Sequence, residues 1–373
     1  MISAGGLTRR LAAGATAIIA GGGLALAMAG AAQAAVPHRA VPIRWGFAYV
    51  NRPSVPGIPD LTRQAGSWPP GFVVHVKPGL VGQVFVRFPQ IGGRGGVVLV
   101  TAVSPAPVWC QAQRWARSWP NEIVAVRCYL AGGTPVFAPF TVAYSQSSPG
   151  PVPAGRRYGY VRYSPAHGVV ARFNSAGGLN TVAPAGPGAW TVRLPGLGSA
   201  GRAGNVQVTA VNAAGPAKCE VSGWTSAPGR QLITVRCYNK AAVPLKTGWS
   251  LVYQRGRAVT GTQPKHFAYT FDSKPFAAGP YAPVPAAVNF NSAAATNTIR
   301  RAGGGLRLVT LPRVAGLPST VLVTAVGSGG RFCSLLSPWA SSPAGVIVRD
   351  VACYTAAGAA TNTASLITYT SAH

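Results

Sequence analysis

The chain has 373 residues, with 33 Lys and Arg against 5 Asp and Glu, for a formal net charge of +28. So few carboxylates argue against calcium-stiffened modules, which need several acidic oxygens per ion, and against a glycosidase, which needs two carboxyl groups facing one another. A field of this sign attracts anionic polymers and surfaces whatever the fold, although GC-rich codons alone also produce Ala, Gly, Pro and Arg richness.

The first predicted element is not part of the fold. Arg9 and Arg10 precede an apolar, Gly-rich run over 11–29, and Ala32-Gln33-Ala34 is a small-x-small cleavage site. This is the pattern of a secretory signal peptide spanning 1–34 and cut before Ala35. A membrane anchor is the competing reading, and the export route, general secretory or twin-arginine, stays open. Without Arg9 and Arg10 the charge is about +26, and the remaining chain of about 340 residues suits two or three domains. No later apolar run approaches the roughly 18 residues that a membrane helix needs.

Downstream the chain repeats itself. "VVLVTAV" at 97–103, "NVQVTAV" at 205–211 and "TVLVTAV" at 320–326 are one strand written three times. Ahead of each stands a Gly seven residues before a Pro: Gly82 and Pro89, Gly188 and Pro195, Gly305 and Pro312. After each come a cysteine (Cys110, Cys219, Cys333), a tryptophan (Trp115, Trp224, Trp339) and a Cys-Tyr pair (Cys128-Tyr129, Cys237-Tyr238, Cys353-Tyr354). Tyr144, Tyr253 and Tyr369 close the units, and the aromatic pairs Phe47/Tyr49, Tyr158/Tyr160 and Phe267/Tyr269 open them.

A period of about 110 residues is too long for a solenoid or propeller blade and is the size of a domain. The predicted fold is all-β: three tandem antiparallel β-sandwich repeats, immunoglobulin-like or jelly-roll-like, over 35–146, 147–256 and 257–373, each of about seven or eight strands. Pro/Gly/Ser-rich stretches at 145–155 and 254–265 read as linkers. Alternation puts Val206, Val208 and Ala210 on one buried face, with Val98, Val100, Ala102 and Val321, Val323, Ala325 as their counterparts. Six cysteines allow 15 pairings. One disulfide per repeat is the simplest, each closing a loop of about 18 residues worth roughly 3 kcal/mol, with the intervening tryptophan packed on it.

"FNSAGGLNTV" at 173–182, the "VQVTAV" strand, Cys-x4-Trp and "VRCY" resemble uncharacterised secreted β-repeat proteins of high-GC Gram-positive bacteria. The resemblance covers units two and three best; "SWPPGFVVHV" in unit one lacks the first motif. It implies export and repeat architecture and supplies no catalytic residue.

Chemistry-bearing motifs are few. Asp60, Glu122, Glu220, Asp272 and Asp350 occupy different places in the repeats, and the histidines never stand at zinc-like spacing. No G-x-S-x-G elbow occurs. "GLGSAG" at 196–201 satisfies G-x-G-x-x-G, but a strand follows it where a dinucleotide site needs a helix. Expectation therefore falls on a non-enzymatic protein without cofactor or metal. Its basic modules would associate with anionic cell-envelope polymers, acidic glycans or extracellular nucleic acid, outside the cell and in non-covalent association with the wall. The anion-binding candidates are Arg156, Arg157, Arg162, Arg255, Arg257, Lys265, Arg300 and Arg301, set against the plain reading that a charge run is a solvated face. Exposed Trp68 or Trp119 would mark a carbohydrate-binding variant. A protein-directed effector or inhibitor acting through loops is the alternative, and an enzyme acting on the cell wall comes third.

Overall fold

Scarce helix formers and abundant Val, Thr and Gly give strands joined by tight turns, and the computed structural model shows them over residues 43–147 and 156–373. The signal-peptide reading and most of the 145–155 stretch lie outside these residues. In the first repeat, strands Gln64–Gly66, Arg44–Val50, Phe140–Gln146 and Val97–Ala102 form one sheet in that order. Val108–Ser118, Asn121–Leu130, Gln83–Phe88 and His75–Pro78 form the other. The second and third repeats copy this two-sheet plan. Each repeat carries one disulfide, Cys110–Cys128, Cys219–Cys237 and Cys333–Cys353, between directly opposed strand positions. Three such bonds fit an oxidising compartment. Among the described residues no helix is long and apolar enough to cross a membrane.

The recurring Gly-to-Pro landmark has a steric cause. Gly82, Gly188 and Gly305 all have positive φ, and each carbonyl accepts from the amide of the second cysteine, at 3.0, 2.8 and 3.0 Å. A Cβ there would lie 2.8, 2.7 and 3.0 Å from that cysteine's carbonyl oxygen, so only glycine fits.

The interiors follow the alternation. Val206 and Val208 pack with Val192, Ile233, Val235 and Cys237 in the second repeat, and Val98, Val100 and Val321, Val323 do the same in the others. The tryptophans share this inner face but do not stack on the disulfides. Trp115 stands opposite Val124 while Cys110 stands opposite Cys128, roughly 13 Å apart along the strand.

What alternation does not reveal is the second face of the same strands. It is buried too, because the repeats close into a ring. The described residues, 43–147 and 156–373, belong to one compact unit. Val211 of repeat two bridges in parallel to Ala112 of repeat one, Val326 of repeat three to Val221 of repeat two, and Val103 of repeat one to Leu335 of repeat three. Each bridge joins the end of one VTAV strand to the residue two past the first cysteine of a neighbour. The pattern is cyclic and defines a pseudo-threefold axis. The VTAV threonines repeat the cycle: Val100 N donates to Thr209 Oγ1 at 2.9 Å, Val208 N to Thr324 Oγ1 at 3.0 Å, and Val323 N to Thr101 Oγ1 at 2.9 Å. The threefold-repeated strand is therefore the hub of the molecule. Replacing Thr209 with valine keeps shape and leaves the buried Val100 amide without its acceptor; urea unfolding should show a loss of about 1–3 kcal/mol.

Register also corrects the opening pairs. The residue before each closing tyrosine, Ala143, Val252 or Thr368, lies opposite Phe47, Tyr160 or Tyr269. Trp45/Phe47 is thus the counterpart of Tyr158/Tyr160 and Phe267/Tyr269. The next inner position, Tyr49, Arg162 or Phe271, meets the tryptophan of a neighbouring repeat: Trp339, Trp115 and Trp224, at ring distances of 6.2, 3.9 and 5.9 Å. The stretch read as a linker at 254–265 is packed as well, with Ala258, Val259 and Thr260 buried and Val259 set among Phe47, Tyr158 and Leu322.

Candidate anion-binding cleft

Four of the eight predicted cationic residues meet at the junction of repeats two and three. Arg157 and Arg255 face each other across the opening strand Arg157–Ser164 and the closing strand Gly248–Arg255. Arg156 follows outward from Arg157, and its side chain lies over Gly256, where a Cβ would come within 3.3 Å of it. Arg257 is buried beyond them, donating through Nη1 to Gly261 O at 2.7 Å. Burial, and then the neighbouring charge of Arg156, hold its pKa below the usual arginine value. Like charges are being held together here.

The Gly-rich connection that mimics a dinucleotide motif supplies the scaffold. Gly196 O accepts from Arg157 Nε at 3.1 Å and Gly198 O from Arg255 Nη1 at 3.5 Å. The same connection ends on Arg202, which the sequence reading missed because it stands alone in "SAGRAG". Its Nε donates to Trp224 O at 3.1 Å, and its guanidinium lies 5.7 Å from the centroids of both Trp224 and Phe271. The opposite wall comes from the loop that follows the opening strand of repeat three. Pro285 and Ala287 face Arg202 and Arg255, and the Ala287 carbonyl is tied to Gly204 N at 2.8 Å.

Two adjoining grooves result, of about 240 and 590 Å³, sharing Arg255 and Ala287. The smaller is floored by Tyr269 and Phe290, stacked at 5.3 Å. Tyr269 accepts from Gly256 N at 3.1 Å, and burial pushes its hydroxyl pKa up to about 12, so it stays neutral beside the cations. All five carboxylates of the chain lie within the described residues. Asp60 pairs with Arg63 and Asp272 with Arg307, and these are the ion pairs among the described residues. None of the cleft arginines is in an ion pair among the described residues, and guanidinium forks match carboxylate and phosphate oxygens.

The remaining candidates go elsewhere. Arg162 lies 3.9 Å from the Trp115 ring centroid, between repeats one and two and near buried Glu122. Lys265 is exposed at the entry to repeat three, and Arg300 and Arg301 are exposed on its edge strand Thr298–Gly303. Arg307, which reads as part of that basic run, is 2% exposed and spent on Asp272. Trp68 packs into the core against Phe88, whereas Trp119 is 73% exposed with Arg117 5.8 Å from its ring. Among the described residues no group of three or more His, Cys, Asp or Glu gathers as a metal site would require.

Fold and site together define an all-β protein of three disulfide-bonded repeats closed into a ring, with an arginine cleft at one junction. Comparison with protein-family models, with curated proteins and with solved structures finds no match for this chain.

Proposed function

We propose that this is a secreted, non-enzymatic binding protein whose cleft between repeats two and three takes anionic groups of cell-envelope polymers or acidic glycans. The observation that carries the reading is the convergence of Arg156, Arg202 and Arg255 on two joined grooves with no carboxylate paired to them. An aromatic floor beside guanidinium groups suits a sugar face flanked by a uronate or phosphate. The signal-peptide pattern and the three disulfides support an extracellular setting. Binding would be electrostatic and weakened by salt.

The test is a pull-down of the chain from Ala35 on purified anionic cell wall across a salt series. Binding should fade by roughly 0.5 M salt. Replacing Arg156 and Arg255 with glutamine should weaken it about tenfold at 0.1 M salt, the equivalent of about 1.4 kcal/mol. The same exchange at Arg300 and Arg301 should change it little. Equal losses at both pairs would make the charge diffuse and the cleft irrelevant. Salt-indifferent binding, or a stoichiometric protein complex that survives salt, would favour the protein-directed alternative.

A further inference from the structure

The hub of the ring encloses a second feature, independent of the arginine cleft. A cavity of about 40 Å³ is lined by equivalent residues from all three repeats: the threonines Thr101, Thr209 and Thr324, and the residues preceding the first cysteines, Trp109, Lys218 and Phe332. It therefore sits on the pseudo-threefold axis. Two of the three axial positions are aromatic and the third is a lysine.

Lys218 is 3% exposed, and its Nζ lies 4.7 Å from the Trp109 ring centroid and 5.3 Å from that of Phe332. The rings are themselves fixed, 5.4 Å apart, with Trp109 Nε1 donating to Ala217 O at 3.1 Å. Ring faces attract the charge, but an ammonium has three N–H donors, and Lys218 Nζ meets no hydrogen-bond acceptor among the described residues. Glu220, two residues along the same strand, does not approach it to ion-pair distance; its Oε1 accepts from Gly330 N at 3.1 Å.

The threonines add a second unspent donor. Thr101 donates to Val323 O and Thr324 to Gln207 Oε1. Thr209 accepts from Val100 N at 2.9 Å, and among the described residues its own hydrogen finds no acceptor. A buried cation and a free hydroxyl thus line one small space, in a chain with only 5 carboxylates against 33 Lys and Arg. A charge so buried needs a counter-charge, and the carboxylate that bears on it, Glu220, stays outside ion-pair distance of Lys218.

We propose that the axial cavity binds one halide ion, chloride in ordinary solution, held by Lys218 Nζ and the Thr209 hydroxyl. The volume accommodates a monatomic anion, and this site is separate from the cleft. Bound at the hub, the ion touches all three repeats and strengthens the ring.

Two measurements on the whole exported chain test this. Crystals soaked in sodium bromide should give an anomalous peak on the axis, in direct contact with Lys218 Nζ. Thermal unfolding at constant ionic strength should rise by on the order of 2 °C when acetate is exchanged for chloride or bromide. Lys218→Met keeps the aromatic packing and should lose that difference while retaining the general response to salt. A peak absent from the axis, with bromide only at surface arginines, would overturn the proposal. So would a melting temperature of the unaltered protein that is the same in acetate and halide, whether or not the variant folds.

Discussion

Replacing Asp272 with alanine is expected to cost about 3–5 kcal/mol of stability, the range for one partner removed from a buried pair. Asp272 is fully buried at the end of the opening strand of repeat three; its Oδ2 accepts from Arg307 Nε at 2.9 Å and its Oδ1 from the Tyr281 hydroxyl. Arg307 also donates to Leu306 O at 2.8 Å and to Asn362 Oδ1 at 3.2 Å. The network ties four separate segments of one repeat. Alanine leaves a guanidinium in the core with its charge unopposed. The reverse deletion, Arg307→Met, should cost less, because burial already raises the Asp272 pKa and the carboxyl can take up a proton. The double variant Asp272→Leu with Arg307→Met should recover much of the loss, since buried pairs are often replaceable by apolar groups of similar volume. Urea unfolding of the three variants decides it. A loss under 1 kcal/mol for Asp272→Ala would mean that water reaches Arg307.

The repeats, the strand-rich composition, the inward residues and the disulfide pairing were all legible, because each depends on local spacing. The ring was not. A period of two says that Val206, Val208 and Ala210 share a face and says nothing about whether Gln207 and Thr209 meet water or another repeat. Here they meet another repeat, through contacts more than 100 residues apart in sequence, such as Val100 with Thr209. The aromatic pair of unit one was offset by two residues for a related reason. A slip of two preserves every facing, so only strand register separates Trp45/Phe47 from Phe47/Tyr49. For the cleft, local density of arginine found Arg156, Arg157, Arg255 and Arg257. Density could not find Arg202, brought in by a turn, nor show that Arg162, from the same "RRYGYVRY" run, faces Trp115.

Stability should fall as pH rises from about 5 to 8, against the usual expectation for a strongly basic protein, whose self-repulsion eases as pH rises. Glu122 and Glu220 carry the effect. Both are fully buried, each accepts a single backbone amide, from Gly93 and Gly330 at 3.1 Å, and each has its other oxygen without a partner. Burial raises both carboxyl groups to about 7, although Arg162, Arg44 and Arg117 near Glu122 and Arg331 near Glu220 pull the other way. An acid whose folded pKa lies above its unfolded value of 4.5 stabilises the fold fully below 4.5. That contribution disappears as pH climbs through the folded value. It amounts to on the order of 3 kcal/mol for each group. His75 and His266, lowered by burial, favour the fold at higher pH, but both are partly exposed and solvent weakens their share. Glutamine at both positions keeps an acceptor for the loop amide and removes the charge. The double variant Glu122→Gln with Glu220→Gln should therefore melt at nearly the same temperature from pH 5 to 8, and above the unaltered protein at pH 8. A melting temperature that rises with pH in the unaltered protein would show that these carboxyl groups find a cation or water on opening, and that the inter-repeat loop held by Glu220 is wetter than its packing implies.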